Sequence, residues 1–444
     1  MRIRLADGRE EERLLDIFPW LISGSHVVSA VGAGGKTTFL WRMAGELTAA
    51  GKRVIVTTTT HMAWEEDRPW AKIEGGKTAA EEGTGCISAS QRKLLREKMD
   101  EWGYVFAGKK EKIGEKISNP FPEDACCRWV TELTELADVV LVEADGSRRL
   151  PLKVPGKNEP VIPPATDLVV GVAGLSSLGE LPEERCHRWE LWDFQEQRIT
   201  GRDLERLAVS LRGLRKGVDP GMKYFVLLNQ ADDERRLEAG MDVCRRLARR
   251  QIACGTARLQ DRLGVILLAA GQGSRFGENK LLYPVEGIPM GKRALELLAE
   301  LPAQKRAVVT CYEQMENWAG SLGISCVKNP HPELGISSSL RLGLEACTEM
   351  DGWLFMVADQ PRLSLESVKR LIRCWQESPR GIAALSCGEQ IGNPVIFSRR
   401  YRGQLLELRG DRGGKRVLNS HREDTALVEV QPWELEDLDR KPES

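Results

Sequence analysis

Two glycine-rich segments, each containing a lysine, carry most of the chemistry that can be read in this chain. One is LAAGQGSRFGENK, residues 268–280, which follows the apolar run Val265 to Leu268; the other is GAGGKTT, residues 32–38, which follows His26 to Val31. Glycine accepts backbone angles and close approaches that a Cβ blocks, so bare N–H groups can meet phosphate oxygens. In the later segment Gly271, Gly273 and Gly277 make the loop, and Arg275 and Lys280 add fixed positive charge. The GxGxxxG spacing puts Phe276 where a dinucleotide-binding loop has its third glycine, and no acid closes a second strand about 20 residues on, which excludes an NAD site. Two cations at this spacing suit a nucleoside triphosphate better than a diphosphate bridge.

In the earlier segment Gly32, Gly34 and Gly35 offer backbone donors, Lys36 can reach outer phosphates, and Thr37 or Thr38 at a helix start can hold magnesium. Ala30 replaces the first glycine of the strict GxxxxGK[ST] pattern, but the strand before and the helix after are the context that pattern requires. Acids follow apolar strands in both halves. Glu143 and Asp145 lie at and just past VVLVE, where an acid can position magnesium or an attacking water, and Asp359 emerges after Trp353 to Val357 as a magnesium-site candidate.

The elements that must position these residues alternate between strand and helix. Residues 10–22 read as a short helix, and 89–102, 125–136 and 233–250 as longer ones; Val54 to Thr57, Leu168 to Val172 and Tyr224 to Leu228 read as strands. That alternation predicts an α/β fold with a parallel sheet in the first half. Thr57 to Thr60 end a strand, and their hydroxyls either reflect β-propensity or sit where ligands bind in open sheets. The arginine-rich helix 233–250 has interspersed acids and reads as a solvated face. In the second half, Ser337, Ser338 and Ser339 follow Gly335 at a helix start, where serine caps helices.

The 444 residues predict two domains, placed at 1–258 and 259–444, with no flexible linker at the junction. A composition of 41% hydrophobic and 29% charged residues with a net charge of -1 fits a soluble globular protein and points to neither nucleic acid nor an acidic surface as partner. Eleven cysteines, an odd number without a CxxC pair, predict reduced thiols, and the five histidines show no metal-ligand spacing. A charged amino terminus and the absence of about 18 consecutive apolar residues predict a cytoplasmic protein with no membrane partner.

The later loop resembles that of the MobA-like nucleotidyltransferases. NPHPELGISSSLRLGL, VADQP, GNPVIF and LRGDRGGKRVL follow in the order shown by the molybdenum cofactor cytidylyltransferases of MocA type, over residues 262–430. GAGGKTT, TTTTHM, VEADGSRRLPLK, the CHRWE segment and LLNQAD together resemble the YqeC-like proteins, known as selenium-dependent molybdenum hydroxylase accessory proteins, over roughly residues 10–250. The resemblances imply a phosphate-loop NTPase-like parallel sheet followed by a Rossmann-like nucleotidyltransferase with a mixed sheet.

They also imply a nucleotide site of Ala269, Ala270, Gly271, Gly273, Ser274, Gly277 and Ser337 to Ser339, and an acceptor side of Asn393, Asp411 and Arg416. The implied reaction transfers CMP from CTP to molybdenum-bound molybdopterin and releases pyrophosphate. Lys280 would stabilise charge on the α-phosphate, Arg275 would hold the leaving pyrophosphate, and magnesium on Asp359 would bridge the phosphates. The rivals are GMP transfer to the same acceptor, nucleotidyl transfer to a sugar or alditol phosphate, and a nucleotide-switched carrier that delivers cofactor. In these families LAAG accompanies cytidine and LAGG guanosine. Magnesium in the first half would involve Thr37, Glu143 and Asp145, and the nucleotide there would be GTP or ATP. Asn229 and Asp232 stand at a spacing that resembles the guanine-reading NKxD of GTPases, with Gln230 in place of the lysine. A molybdenum hydroxylase apo-enzyme is the protein partner that this pathway suggests.

Overall fold

Runs of valine, isoleucine and leucine that are buried on both faces form parallel strands, because only helices layered on each side of a sheet can cover them. In this computed structural model such runs make the centre of the first of two compact units, Met1–Gln260 and Asp261–Ser444. The structure describes residues 1–63, 68–73, 86–111, 116–121, 126–271, 276 and 279–438. In chain order the first unit's central elements are β1 (His26–Gly32), α1 (Lys36–Ala49), β2 (Val54–Thr58), β3 (Tyr104–Lys110), β4 (Val139–Glu143), β5 (Leu168–Gly174), β6 (Lys223–Asn229) and β7 (Ala253–Arg258). Their order across the sheet is β7-β6-β5-β1-β4-β2-β3, all parallel. Arg2–Leu5 adds an antiparallel strand on β7.

Register decides where the chemistry gathers. Ala30 of β1 pairs with Glu143 of β4, so the glycine segment after β1 and the acids after β4 leave the sheet at the same edge. Between β1 and α1 the backbone of Gly32, Gly34 and Gly35 has φ of 92°, 83° and 133°, values that L side chains rarely adopt. At Gly34 an added Cβ would also lie 2.5 Å from the Gly174 nitrogen and 2.6 Å from the Pro151 oxygen, so the loop is pressed against two neighbouring segments. Helix α1 then buries Phe39, Leu40, Met43 and Leu47 along one side.

Local signals set several boundaries. Ser88 and Gln91 form a reciprocal capping box at the start of helix Ala89–Trp102, and Gly103 ends it in the left-handed region. The single helix predicted over residues 10–22 is instead Leu14–Ile17 followed by a 3-10 turn, Pro19–Ile22, because Pro19 has no N–H with which to continue the helix.

The second unit contains β8 (Leu263–Ala269), β9 (Lys305–Thr310), β10 (Ser325–Lys328), α2 (Ile336–Ala346), β11 (Gly352–Val357), β12 (Ile382–Cys387), β13 (Gln390–Ser398) and β14 (Thr425–Glu429). The sheet order is β10-β9-β8-β11-β13-β12-β14. It is mixed: β13 runs antiparallel to both β11 and β12, and the other pairs are parallel. Leu268 pairs with Val357, so Ala270 after β8 and Asp359 after β11 emerge side by side. No helix among the described residues is long and apolar enough to cross a membrane.

Candidate functional sites at the strand ends

In the second unit Lys280 opens a short 3-10 turn, Lys280–Leu282, whose first N–H groups are met by the Asn279 side chain at Leu281. Its ammonium donates to Asp359 Oδ2 at 2.5 Å. Both residues line a cleft of about 400 Å³ together with Ala269, Ala270, Gly271 and Ser339. The β8 end is fixed from behind by Thr310 Oγ1, which donates to the Ala269 oxygen at 2.9 Å, and by the Tyr312 hydroxyl on the Gly271 oxygen at 2.7 Å. Gly273, Ser274, Arg275 and Gly277 lie outside the described residues.

A second hollow of about 280 Å³ adjoins this cleft and shares Leu268, Ile336, Val357 and Asp411 with it. Phe355 and Phe397 give it an aromatic wall, and Asn393 and Lys415 add polar groups. Of the three acceptor-side residues expected from sequence, Asn393 and Asp411 are therefore brought together. Arg416 is not with them: it is exposed and lines neither cavity, while its neighbour Lys415 lines the second. The three serines also divide. Ser339 lines the cleft, but Ser338 donates to the Gly335 oxygen at 2.8 Å and accepts from Asn329, and Ser337 is fully buried. Ser338 thus serves the helix start, while the buried Ser337 Oγ has no hydrogen-bond partner among the described residues and does not line the cleft.

The first unit gathers a denser set. The Lys36 ammonium donates to the Gly32 oxygen at 2.7 Å and lies 3.2 Å from Asp145 and 3.7 Å from Glu143. Asp145 accepts from the Gly32 N–H at 3.1 Å, and Thr37 Oγ1 donates to Glu143 at 2.8 Å. Thr38 is exposed and does not share that contact. Burial opposes the charge of Lys36, yet Asp145 and then Glu143 outweigh it and hold the ammonium above its ordinary pKa. Burial pushes Glu143 up in spite of Lys36 and Thr37.

Sequence reading missed the continuation of this network. Lys153, 0% exposed, sits 3.1 Å from Asp145 and 2.7 Å from Glu159, and Glu159 also accepts from Arg188. An alternating chain therefore runs Lys36, Asp145, Lys153, Glu159, Arg188. Nothing local announces it, because its members come from separate turns and strands. The only cue was that LPLK and CHRWE belong to the same resemblance.

Other expected residues take structural posts. Asn229 spends both ends of its amide on backbone, donating to the Gly34 oxygen at 2.8 Å and accepting from Leu259 N–H at 3.0 Å. It ties the glycine loop to the segment just past β7, and these two bonds use one of its two amide N–H groups and one oxygen lone pair. Asp232 is half exposed and 3.4 Å from Arg236. Thr57, Thr58 and Thr59 donate to the backbone oxygens of Ala107, Glu143 and Val161, which settles these three hydroxyls as sheet-end fasteners.

The comparisons divide the chain at the same place as the chemistry. Residues 28–190 match the family model of the YqeC protein, and residues 265–425 match that of the MobA-like NTP transferase domain. The YqeC protein of Escherichia coli is 33% identical over 214 residues, spanning 46% of this chain and 75% of that protein. The purine catabolism protein PucB of Bacillus subtilis is 28% identical over 195 residues, spanning 40% of this chain and 92% of that protein. A solved nucleotidyl transferase from Methanothermobacter thermautotroptrophicus is 22% identical, with a TM-score of 0.36, over 40% of this chain and 92% of that one. The family-model match shows that the second unit carries a MobA-like NTP transferase domain. The chain belongs to the YqeC family, with a MobA-like NTP transferase domain joined behind the YqeC part.

The network makes a pH prediction. Burial raises the Glu159 pKa, but hydrogen bonds from Lys153 and Arg188 more than offset this and hold the carboxyl below its ordinary 4.5. A depressed carboxyl stabilises the fold above its unfolded pKa and loses that contribution as pH falls through its folded pKa. Glu159→Gln should therefore lower the melting temperature by a few degrees near neutrality, and the gap to the wild type should close as pH drops below about 4.5. Scanning calorimetry across that range checks it; a gap that stays constant with pH would remove Glu159 from the ionised network.

Proposed function

We propose that the second unit transfers CMP from CTP to molybdenum-bound molybdopterin and releases pyrophosphate. The observation that supports this reading most is the pair of joined compartments: one holds the Lys280–Asp359 pair, the other has an aromatic and polar lining, and Asp411 borders both. A transferase of this kind must hold two substrates with one phosphate oxygen in line with the α-phosphorus of the other. The acceptor's phosphate oxygen forms the new bond as the bond to pyrophosphate breaks. Positioning and charge neutralisation drive the step, and no covalent nucleophile is needed.

Lys280 serves that step by turning from Asp359 toward the α-phosphate as charge builds there, and Arg275 is assigned to the leaving pyrophosphate. Magnesium usually keeps several waters and takes one or two carboxylates together with substrate phosphates. A strand-end Asp359 beside an open cleft fits that donor set, and so would hold the ion; magnesium, when bound, neutralises the triphosphate. No cluster of three His, Cys, Asp or Glu residues occurs among the described residues, so the substrate's phosphates would complete the coordination. Ala269 and Ala270 both line the cleft, and their methyl groups favour the smaller pyrimidine by about 1 to 3 kcal/mol.

Lys280→Ala and Asp359→Ala should each lower CMP transfer by at least about 100-fold, with thermal melting nearly unchanged because neither side chain is part of a core. Pyrophosphate release on addition of purified molybdenum cofactor measures it, and in direct competition CTP should outrun GTP. Equal or better use of GTP would overturn the cytidine reading, and full turnover by either variant would remove that residue from the mechanism. Binding of both substrates without pyrophosphate release would favour a carrier.

For the first unit the proposal is a phosphate loop that binds GTP through Lys36, with Thr37, Glu143 and Asp145 around its magnesium. Base selection is assigned to Asn229 and Asp232, and above all to the Asp232 carboxylate, which can accept two hydrogen bonds from the guanine edge, worth roughly 1.5 to 3 kcal/mol each. Asp232→Ala should abolish a preference for GTP over ATP and leave phosphate binding in place. Calorimetry in which ATP binds the wild type as tightly as GTP, or in which the variant keeps its selectivity, would end the guanine reading.

A further inference from the structure

We infer that the first unit hydrolyses the nucleoside triphosphate it binds, and that Arg148 and Arg149 are the residues that bear on its γ-phosphate. The inference rests on the phosphate-loop reading of residues 32–38 and assigns that site an activity and two catalytic residues.

The two arginines occupy the centre of a tight turn closed by the Leu150 N–H on the Ser147 oxygen at 3.0 Å. Their φ values are 51° and 62°, so both central residues of the turn are left-handed. Such turns are filled by glycine and asparagine, since a larger L side chain strains there. Two consecutive arginines gain nothing sterically from this backbone, and strain kept in place by its surroundings is a mark of functional segments.

Those surroundings pin the turn over the glycine loop from both sides. On one side Asp145 accepts from the Gly32 N–H and holds Lys36. On the other, the Pro151 oxygen accepts from the Gly174 N–H at 2.8 Å and lies 2.6 Å from where a Cβ on Gly34 would stand. The five residues between these two anchors, 146–150, therefore start and end beside the glycine loop.

Charge pairing then separates these arginines from their neighbours. Asp145 is occupied by Lys36 and Lys153, Glu143 by Lys36 and Thr37, and Glu159 by Lys153 and Arg188. Arg148 and Arg149 are exposed and have no hydrogen-bond or ion-pair partner among the described residues. Two unpaired guanidinium groups held at a phosphate-binding loop suit an anion that arrives with the ligand. The outermost phosphate is the group that extends farthest from the loop backbone.

In the reaction, a water oxygen forms a bond to the γ-phosphorus as the bond from that phosphorus to the β,γ-bridging oxygen breaks. The nucleoside diphosphate leaves with the bonding electron pair, and the proton lost by the water passes through phosphate to solvent. The arginines neutralise the charge on the equatorial γ-oxygens and on the bridging oxygen as it develops.

The test uses the full chain with GTP and magnesium and no cofactor acceptor, and reads orthophosphate, which the transferase half does not release. The wild type should produce it, and Arg148→Gly, Arg149→Gly and the double variant should lower kcat by about 100-fold or more. Because glycine accepts the left-handed turn, the double variant should melt at or above the wild-type temperature and bind a non-hydrolysable GTP analogue within about tenfold of it. Wild-type turnover by the double variant would overturn the assignment, as would analogue binding by the wild type without orthophosphate release above the Lys36→Ala background. Absence of any analogue binding by the wild type would instead overturn the phosphate-loop reading, and this inference with it.

Discussion

A lysine drawn onto a carboxylate at the carboxyl end of a parallel strand is the contact on which both units depend. In the first unit it is Lys36 on Asp145 and Glu143; in the second it is Lys280 on Asp359. Each lysine comes from, or just follows, a glycine-rich segment after one strand, and each acid follows the strand hydrogen-bonded beside it. Burial of such a pair contributes little net stability, because desolvation cancels much of the attraction. What it provides is position: the acid at the end of one strand fixes the lysine that follows the neighbouring strand.

The two pairs differ in their surroundings, and the difference follows from depth. Lys280 and Asp359 keep side-chain exposures of 14% and 21%, so water and substrate share the work of solvating them. Lys36 and Asp145, at 2% and 0%, have no such help. Removing one partner of a buried pair strands the other charge at a cost of about 3–5 kcal/mol. The first unit therefore extends its pair into the alternating chain through Lys153, Glu159 and Arg188, ending at a partly exposed guanidinium. A change of charge at Lys36 would act on the whole of that chain, since Asp145 has two ammonium groups to balance.

What the sequence reveals follows from the range of the forces involved. β1, β4, β8 and β11 were legible because burial on both faces writes an unbroken apolar run, and helix Ala89–Trp102 was legible because its cap is local. The glycine loops were visible because only glycine fits their backbone. By contrast, the posts of Asn229, Thr57 to Thr59 and Ser338 were not, since a polar side chain at a strand or helix end looks the same whether it faces a ligand or a neighbouring carbonyl. Lys153 and Glu159 gave no local signal because their partners are set by tertiary packing. Arg416 was expected where its neighbour Lys415 stands, because a single step of rotation within one short helix decides which side chain meets the hollow.

Calorimetric titration of the intact chain with nucleoside triphosphates, repeated on Lys36→Ala and Lys280→Ala, addresses the shared contact most directly. Two independent lysine-centred sites predict that the wild type binds GTP and CTP simultaneously, that Lys36→Ala loses the GTP event alone, and that Lys280→Ala weakens the CTP event alone. Loss of both events in either variant, or retention of both in each, would contradict the account.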